Sequence, residues 1–231
     1  MRLAIQISGE FRKLYACLPT LETFVKKTFP PDTEIDYFVH TWRTDISENS
    51  IDMEVSSHGM GLSVFEPRSY VLDSYENLAF LHSRPKCHRF FYSIHKVNEI
   101  RRELDRLTDT TYDLVMRYRT DCIFGESLYA CIEPYLKEKK SFLCIPKSKR
   151  MPMCDGPIQE NDDSSICDWF AIGTPDTMDV YCSTFLTFQS TDIEFMAESM
   201  LSFQLRRAGI TEETVLKRPE FDFYLLRTAV K

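Results

Sequence analysis

Glycine is scarce in this chain, with seven in 231 residues. That favours a well-packed core over a flexible or repetitive protein. Only one glycine follows the first strand-like segment, so "SGEFRK" lacks the Gly-rich signature of sugar-phosphate nucleotidyltransferases. Positive charge is also short: 28 Lys and Arg stand against 35 Asp and Glu, a net charge of −7. This excludes a general nucleic-acid binder, because neutralising phosphates takes a basic surface. No apolar run reaches the roughly 18 residues of a membrane helix, and the stretch in "MRLAIQISGEFR" is too short for a signal-peptide core. The eight cysteines have no CxxC spacing and no His placed for a zinc finger. Cys122 and Cys144 lie inside apolar runs, as reduced core thiols do, and a cytoplasmic setting is expected.

What is abundant is aromatic and apolar: 17 Phe, 11 Tyr and 43% hydrophobic residues. The segments 3–8, 35–42 and 112–124 are expected as strands, the second continuous and apolar as if covered on both faces. Further strands are expected at 69–73, 141–146, 168–174 and, as a strand or turn, 221–227. Helices are expected at 12–27, kinked or restarted by Pro19, and at 88–107, 175–188 and 193–209. Phe91, Ile94, Val97, Ile100, Leu104 and Leu107 recur every three or four residues along the second of these. Strands alternating with helices predict an α/β fold: one domain over 1–231, with a central, mainly parallel twisted sheet flanked by helices and a smaller antiparallel portion. The polar stretches 43–64 and 147–165 are expected as loops, the second a candidate lid.

The stretch "YDLVMRYRTDCIF" (112–124) carries the most chemistry. On a strand, Arg117, Arg119 and Asp121 would share a face. At the carboxyl end of a sheet, two guanidiniums can grip a diphosphate, and Asp121 can hold a divalent metal that bridges it. The alternative is a buried Arg–Asp ion pair that links the strand to a neighbouring helix, a pairing partner being available within the motif itself. "ISGEFR" (7–12) offers Ser8, Gly9 and Arg12 where a strand turns into a helix, a place that receives anions; it is otherwise a plain strand–helix turn. Thr41 and Trp42 end the second strand, where they could bond to and stack on a nucleobase, or form the edge of the core. Lys96 and Tyr92 lie one helical turn apart, off the apolar stripe, facing a ligand or solvent. Asp168, after the long loop, is a candidate general base or a turn residue. The five histidines show no metal-type spacing.

Taken in order, "IQISGEFR", "DYFVHTW", "FYSIHKVNEI", "YDLVMRYRTDCIF", "FLCIP", "CDWFAIGTPDTMDVYCSTF" and "FDFYLLR" resemble a family of small glycosyltransferases encoded by chlorella viruses, with related proteins in bacteria. The resemblance implies a GT-A fold, a nucleotide-sugar donor (UDP- or GDP-sugar), a glycan acceptor, Mn²⁺ or Mg²⁺, and a cytoplasmic site, that of the host if the chain is viral. In that family's fold an Asp-x-Asp triplet ends a central strand and holds metal and diphosphate. Here the matching triplet is Arg119-Thr120-Asp121, with the first carboxylate missing. The resemblance further implies that Ser8, Gly9 and Arg12 hold the nucleotide and that Asp168 lies near sugar or acceptor. A non-catalytic nucleotide-sugar or carbohydrate-binding module derived from a transferase is the alternative.

Overall fold

A computed structural model describes residues 1–11, 14–43, 62–81, 86–125, 128–146, 168–190, 197–210, 215–218 and 223–225. In chain order the elements are β1 (Arg2–Ser8), α1 (Leu14–Thr28), β2 (Glu34–Arg43), β3 (Ser69–Ser74), α2 (Lys86–Thr108), β4 (Leu114–Tyr118), β5 (Cys122–Phe124), α3 (Tyr129–Glu138), β6 (Leu143–Pro146), β7 (Ala171–Gly173), α4 (Pro175–Cys182), α5 (Thr184–Ser190), α6 (Ala197–Arg207), β8 (Val215–Arg218) and β9 (Phe223–Leu225). Seven strands form one sheet in the order β3-β2-β1-β4-β7-β6-β8. Neighbours run parallel except at β7, which is antiparallel to both β4 and β6. Strands β5 and β9 make a separate antiparallel pair. The mainly parallel α/β sheet with an antiparallel portion is thus as expected from the alternation of segments.

Side-chain alternation divides the core in two. Leu3, Ile5 and Ile7 of β1 meet Leu14, Leu21 and Phe24 of α1 on one face of the sheet. Ala4, Phe38 and Val115 meet Phe91, Ile94 and Val97 of α2 on the other. Every residue of β4 is buried, as a central strand covered on both faces requires. On the α2 face a polar network ties β1 to two helices. Gln6 Nε2 donates to Asn98 Oδ1 at 2.7 Å, and Asn98 Nδ2 to Asp179 Oδ1 at 2.9 Å. Arg101 pairs with Asp179 and, at 2.6 Å, with Asp105. The Cys182 thiol donates to Gln6 Oε1 at 3.5 Å; burial pushes it up to about 12, which makes it an inert thiol at neutral pH.

Several boundaries differ from expectation, each for a local reason. Pro19 neither breaks nor restarts α1. It lies on the exposed side, while Leu14, Cys17, Leu21 and Phe24 pin the helix to the sheet on both sides of it. The expected helix 175–188 is two, α4 and α5. Ser183 Oγ donates to Val180 O at 2.8 Å and Thr184 Oγ1 to Tyr181 O at 2.8 Å, where the first helix ends. The stretch 112–124 is not one strand: Cys122 N donates to Arg119 O at 3.0 Å, a turn that separates β4 from β5. The strand expected at 168–174 shrinks to Ala171–Gly173. Of the helix expected at 193–209, residues 197–207 are helical, and 193–196 lie outside the described residues. Helix α3 and strand β8 were not expected. At Gly173 a Cβ would stand 2.4 Å from Phe142 O, so only glycine allows β7 to approach β6 so closely.

Candidate functional site

Helix α1 follows β1 on one face of the sheet, and α2 precedes β4 on the other. The direction of winding therefore changes between β1 and β4, which are adjacent. In open α/β sheets such a switch leaves a crevice at the carboxyl ends of the two strands, and ligands bind there. Ser8 and Gly9 lie at the end of β1, and Arg117, Arg119 and Asp121 at the end of β4. Because β7 runs the other way, Asp168 and Trp169, which lead into it, reach the same edge.

Arg117 is opposite Gln6 in the ladder, on the α2 face. Its side chain is fully buried (0% exposed). Nη1 donates to Asp168 O at 2.6 Å and to Trp169 O at 2.5 Å, and the guanidinium lies 4.6 Å above the Phe90 ring. These carbonyls, turned to the guanidinium, are what ends the ladder of β7 at Ala171. Among the described residues, buried Nε and Nη2 meet no acceptor and no carboxylate pairs with this cation. A buried charge with two unmatched N–H edges is costly. Next along β1, Ser8 is 7% exposed, and its buried Oγ likewise has no partner among the described residues. Gly9 then turns out of the strand at φ 103°, a conformation that favours glycine, with its N–H bound to His40 O at 3.1 Å. Open space surrounds the place where a Cβ would sit.

Arg119 and Asp121 lie past the end of β4, brought together by the turn and not by strand alternation. They form a two-pronged ion pair: Nε donates to Oδ1 at 2.9 Å and Nη2 to Oδ2 at 2.8 Å. Burial lowers the pKa of the Arg119 guanidinium, but Asp121, aided by Asp168, outweighs it and holds the group above its ordinary value. Arg119 also lies 5.8 Å from the Phe90 centroid. A divalent ion would find both Asp121 oxygens taken. Among the described residues no group of three or more His, Cys, Asp or Glu side chains could hold one. The described donor set therefore does not fit a resident metal.

The other expected residues lie elsewhere. Thr41 is fully buried, its Oγ1 without a partner, on the α1 face and so across the sheet from Arg117. Trp42 is 8% exposed, in van der Waals reach of Tyr92, Tyr75 and His40 (ring centroids 5.6, 6.2 and 5.1 Å away), so its ring serves the core. Lys96 binds Glu99 at 3.0 Å, and its charge reaches His40 and Asp73. Asp168 is 6% exposed, and its carbonyl accepts from both Arg117 and Tyr181. Arg12, the loop 147–165 and most of 43–64 lie outside the described residues.

Sequence reasoning missed Phe90, the platform under both guanidiniums. It also missed a His–Asp–Ser cluster at the end of β2, with His40 and Ser93 buried and Asp73 partly exposed. His40 Nε2 donates to Asp73 Oδ2 at 3.0 Å, while Nδ1 accepts from Ser93 Oγ at 2.7 Å. The tautomer follows from the carboxylate, which can only accept. Tyr92 also donates to Asp73 Oδ2, at 2.8 Å. Burial pulls the pKa of His40 below its ordinary value, against Asp73. The bond from His40 is the main cause that lowers Asp73. His40 is therefore neutral when folded, while in the unfolded chain it takes up a proton near pH 6.5. Below that pH the unfolded state binds more protons, so stability falls until the lower folded pKa is passed. We expect urea unfolding to show less stability at pH 5.5 than at 7.5, with a slope of at most about 1.4 kcal/mol per pH unit for each histidine. His95, lowered by burial, acts in the same direction. His40→Gln should reduce the slope without removing it; an unchanged slope would refute a neutral His40.

Compared with known proteins, the chain matches no family model and no curated sequence.

Proposed function

We propose that this protein is a nucleotide-sugar-dependent glycosyltransferase of the GT-A type. A UDP- or GDP-sugar is the donor and a glycan or other hydroxyl compound the acceptor. The observation that carries this reading is Arg117, a wholly buried guanidinium with two unmatched N–H edges at the β1–β4 switch, beside the unmatched Ser8 hydroxyl. Such an arrangement suits an anion that enters the crevice, and a diphosphate can use both donors together with Arg119. The open backbone at Gly9 supports a nucleotide entering beside β1.

In the proposed reaction the bond from the anomeric carbon to the phosphate oxygen breaks, and its electrons leave with the nucleoside diphosphate. The acceptor oxygen bonds to the carbon, and in an inverting transfer its proton passes to the Asp168 carboxylate. Arg117 is closed off from solvent in the free protein, so the donor must open the rim to reach it; once the donor is bound, the fixed charge of Arg117 stabilises the negative charge that grows on the diphosphate. No step is routed through a metal ion, given that Asp121 is engaged by Arg119. That engagement also favours a second reading, a non-catalytic nucleotide-sugar-binding module. The cytoplasm, that of the host if the chain is viral, belongs to the proposal. No described helix is long and apolar enough to cross a membrane.

The test is a thermal-shift screen of UDP-, GDP-, CMP- and dTDP-sugars, with chromatography of the mixtures afterwards. A ligand of the folded state raises the melting temperature by mass action. A shift with slow release of free sugar supports the transferase. A shift with intact donor supports the binding module, and no shift with any of the four removes both.

A further inference from the structure

We propose that Asp121 is a place-holding anion: its carboxylate fills the Arg119 fork in the free protein and leaves it when a diphosphate arrives. This rests on the nucleotide-sugar reading above. Both prongs of Arg119 are bound to the one carboxylate, at 2.9 and 2.8 Å, in the geometry that a phosphate also adopts. The Arg119 side chain is 21% exposed, so the fork can be reached from solvent. Arg117 is not exposed at all and holds two unmatched edges nearby; both guanidiniums lie over the same ring, Phe90, at 4.6 and 5.8 Å. One phosphate group, on opening the rim, can meet the free edge of Arg117 formed by Nε and Nη2. A second can meet the Arg119 fork only where Asp121 sits. A monophosphate thus gains Arg117 alone, whereas a diphosphate carries enough charge to take Arg119 from its carboxylate. Asp121 then acts as a competitor of the diphosphate alone and tempers the preference for it over a monophosphate.

The competition gives the Asp121→Asn change an unusual sign. The amide keeps the shape and loses the charge, so Arg119 stands free for the ligand. With EDTA present, calorimetric titration should show UDP or GDP, whichever the wild type binds, binding about two- to fivefold tighter to the variant. UMP or GMP should bind both proteins equally. Weaker or unchanged diphosphate binding by the variant overturns the proposal. So does wild-type binding that needs Mn²⁺ and vanishes in the variant, which would make Asp121 a ligand of the ion. If no nucleotide binds the wild type with or without Mn²⁺, the nucleotide-sugar reading itself fails, and this one with it. Should the variant not fold, the wild type decides. The Arg119 Nε–H resonance, assigned by its loss in Arg119→Lys, should move on adding UDP or GDP and stay on adding UMP or GMP; a resonance indifferent to the diphosphate overturns the proposal.

Discussion

Arg117→Met is expected to weaken nucleoside diphosphate binding by about a hundredfold or more while leaving the protein as stable as before, or more so. The two effects have one cause. In the free protein the Arg117 guanidinium satisfies only the Asp168 and Trp169 carbonyls, and two of its N–H edges have no acceptor. Replacing a poorly compensated buried charge with an apolar side chain of similar volume is often neutral or stabilising, by about 1–4 kcal/mol. Methionine adapts to such a space and can keep contact with the Phe90 ring. The ligand, by contrast, loses charge-assisted bonds made in a dry site, which are worth about 2–5 kcal/mol. Calorimetry with UDP and GDP and urea denaturation measure the two sides. A variant that loses several kcal/mol of stability but binds nucleotide normally would make Arg117 a strut for the β7 entry and not a ligand group.

The second large effect is expected at Asp168. Asp168→Asn should slow transfer, or donor hydrolysis with water as acceptor, by about a hundred- to ten-thousandfold. Diphosphate affinity should stay within about twofold, because the bond to Arg117 comes from the Asp168 main-chain carbonyl, which the substitution leaves in place. The pH profile should lose its acid limb, since that limb reports the base. A variant with wild-type turnover removes Asp168 from proton transfer. A parallel loss of affinity and turnover would place it among the groups that hold the donor.

Much of the scaffold is legible in the sequence. The continuous apolar stretch at 35–42 and the three-and-four spacing of Phe91, Ile94 and Val97 each point to one structure, and both formed. The turn at 119–121 was hidden because Arg117, Arg119 and Asp121 continue a period of two straight through it. The period of the pattern and the direction of the chain simply part company there. Helix α3 was masked by Pro134 in its interior. Strand β8 depends on pairing with β6, far away in the chain. The site itself was only half visible. Side chains such as Arg117 and Asp168 declare their chemistry. The carbonyls that Arg117 binds belong to the backbone and leave no mark in the sequence, and Phe90 looks like any other residue of an apolar helix face. Of the two readings open from spacing, the structure shows an Arg119–Asp121 ion pair within the motif, and the grip on a diphosphate is carried as a proposal.

The reversed strand has a consequence for how the molecule can be divided. Were β7 parallel to β4, the residues leading into it would emerge at the far rim of the sheet. Running backwards, it delivers Asp168 to the rim where β1 ends. Cutting the polypeptide between α3 and β6 would thus leave Ser8 and Arg117 on one piece and Asp168 on the other. Neither fragment would own the complete candidate site, and on the transferase proposal activity would return only through their reassembly.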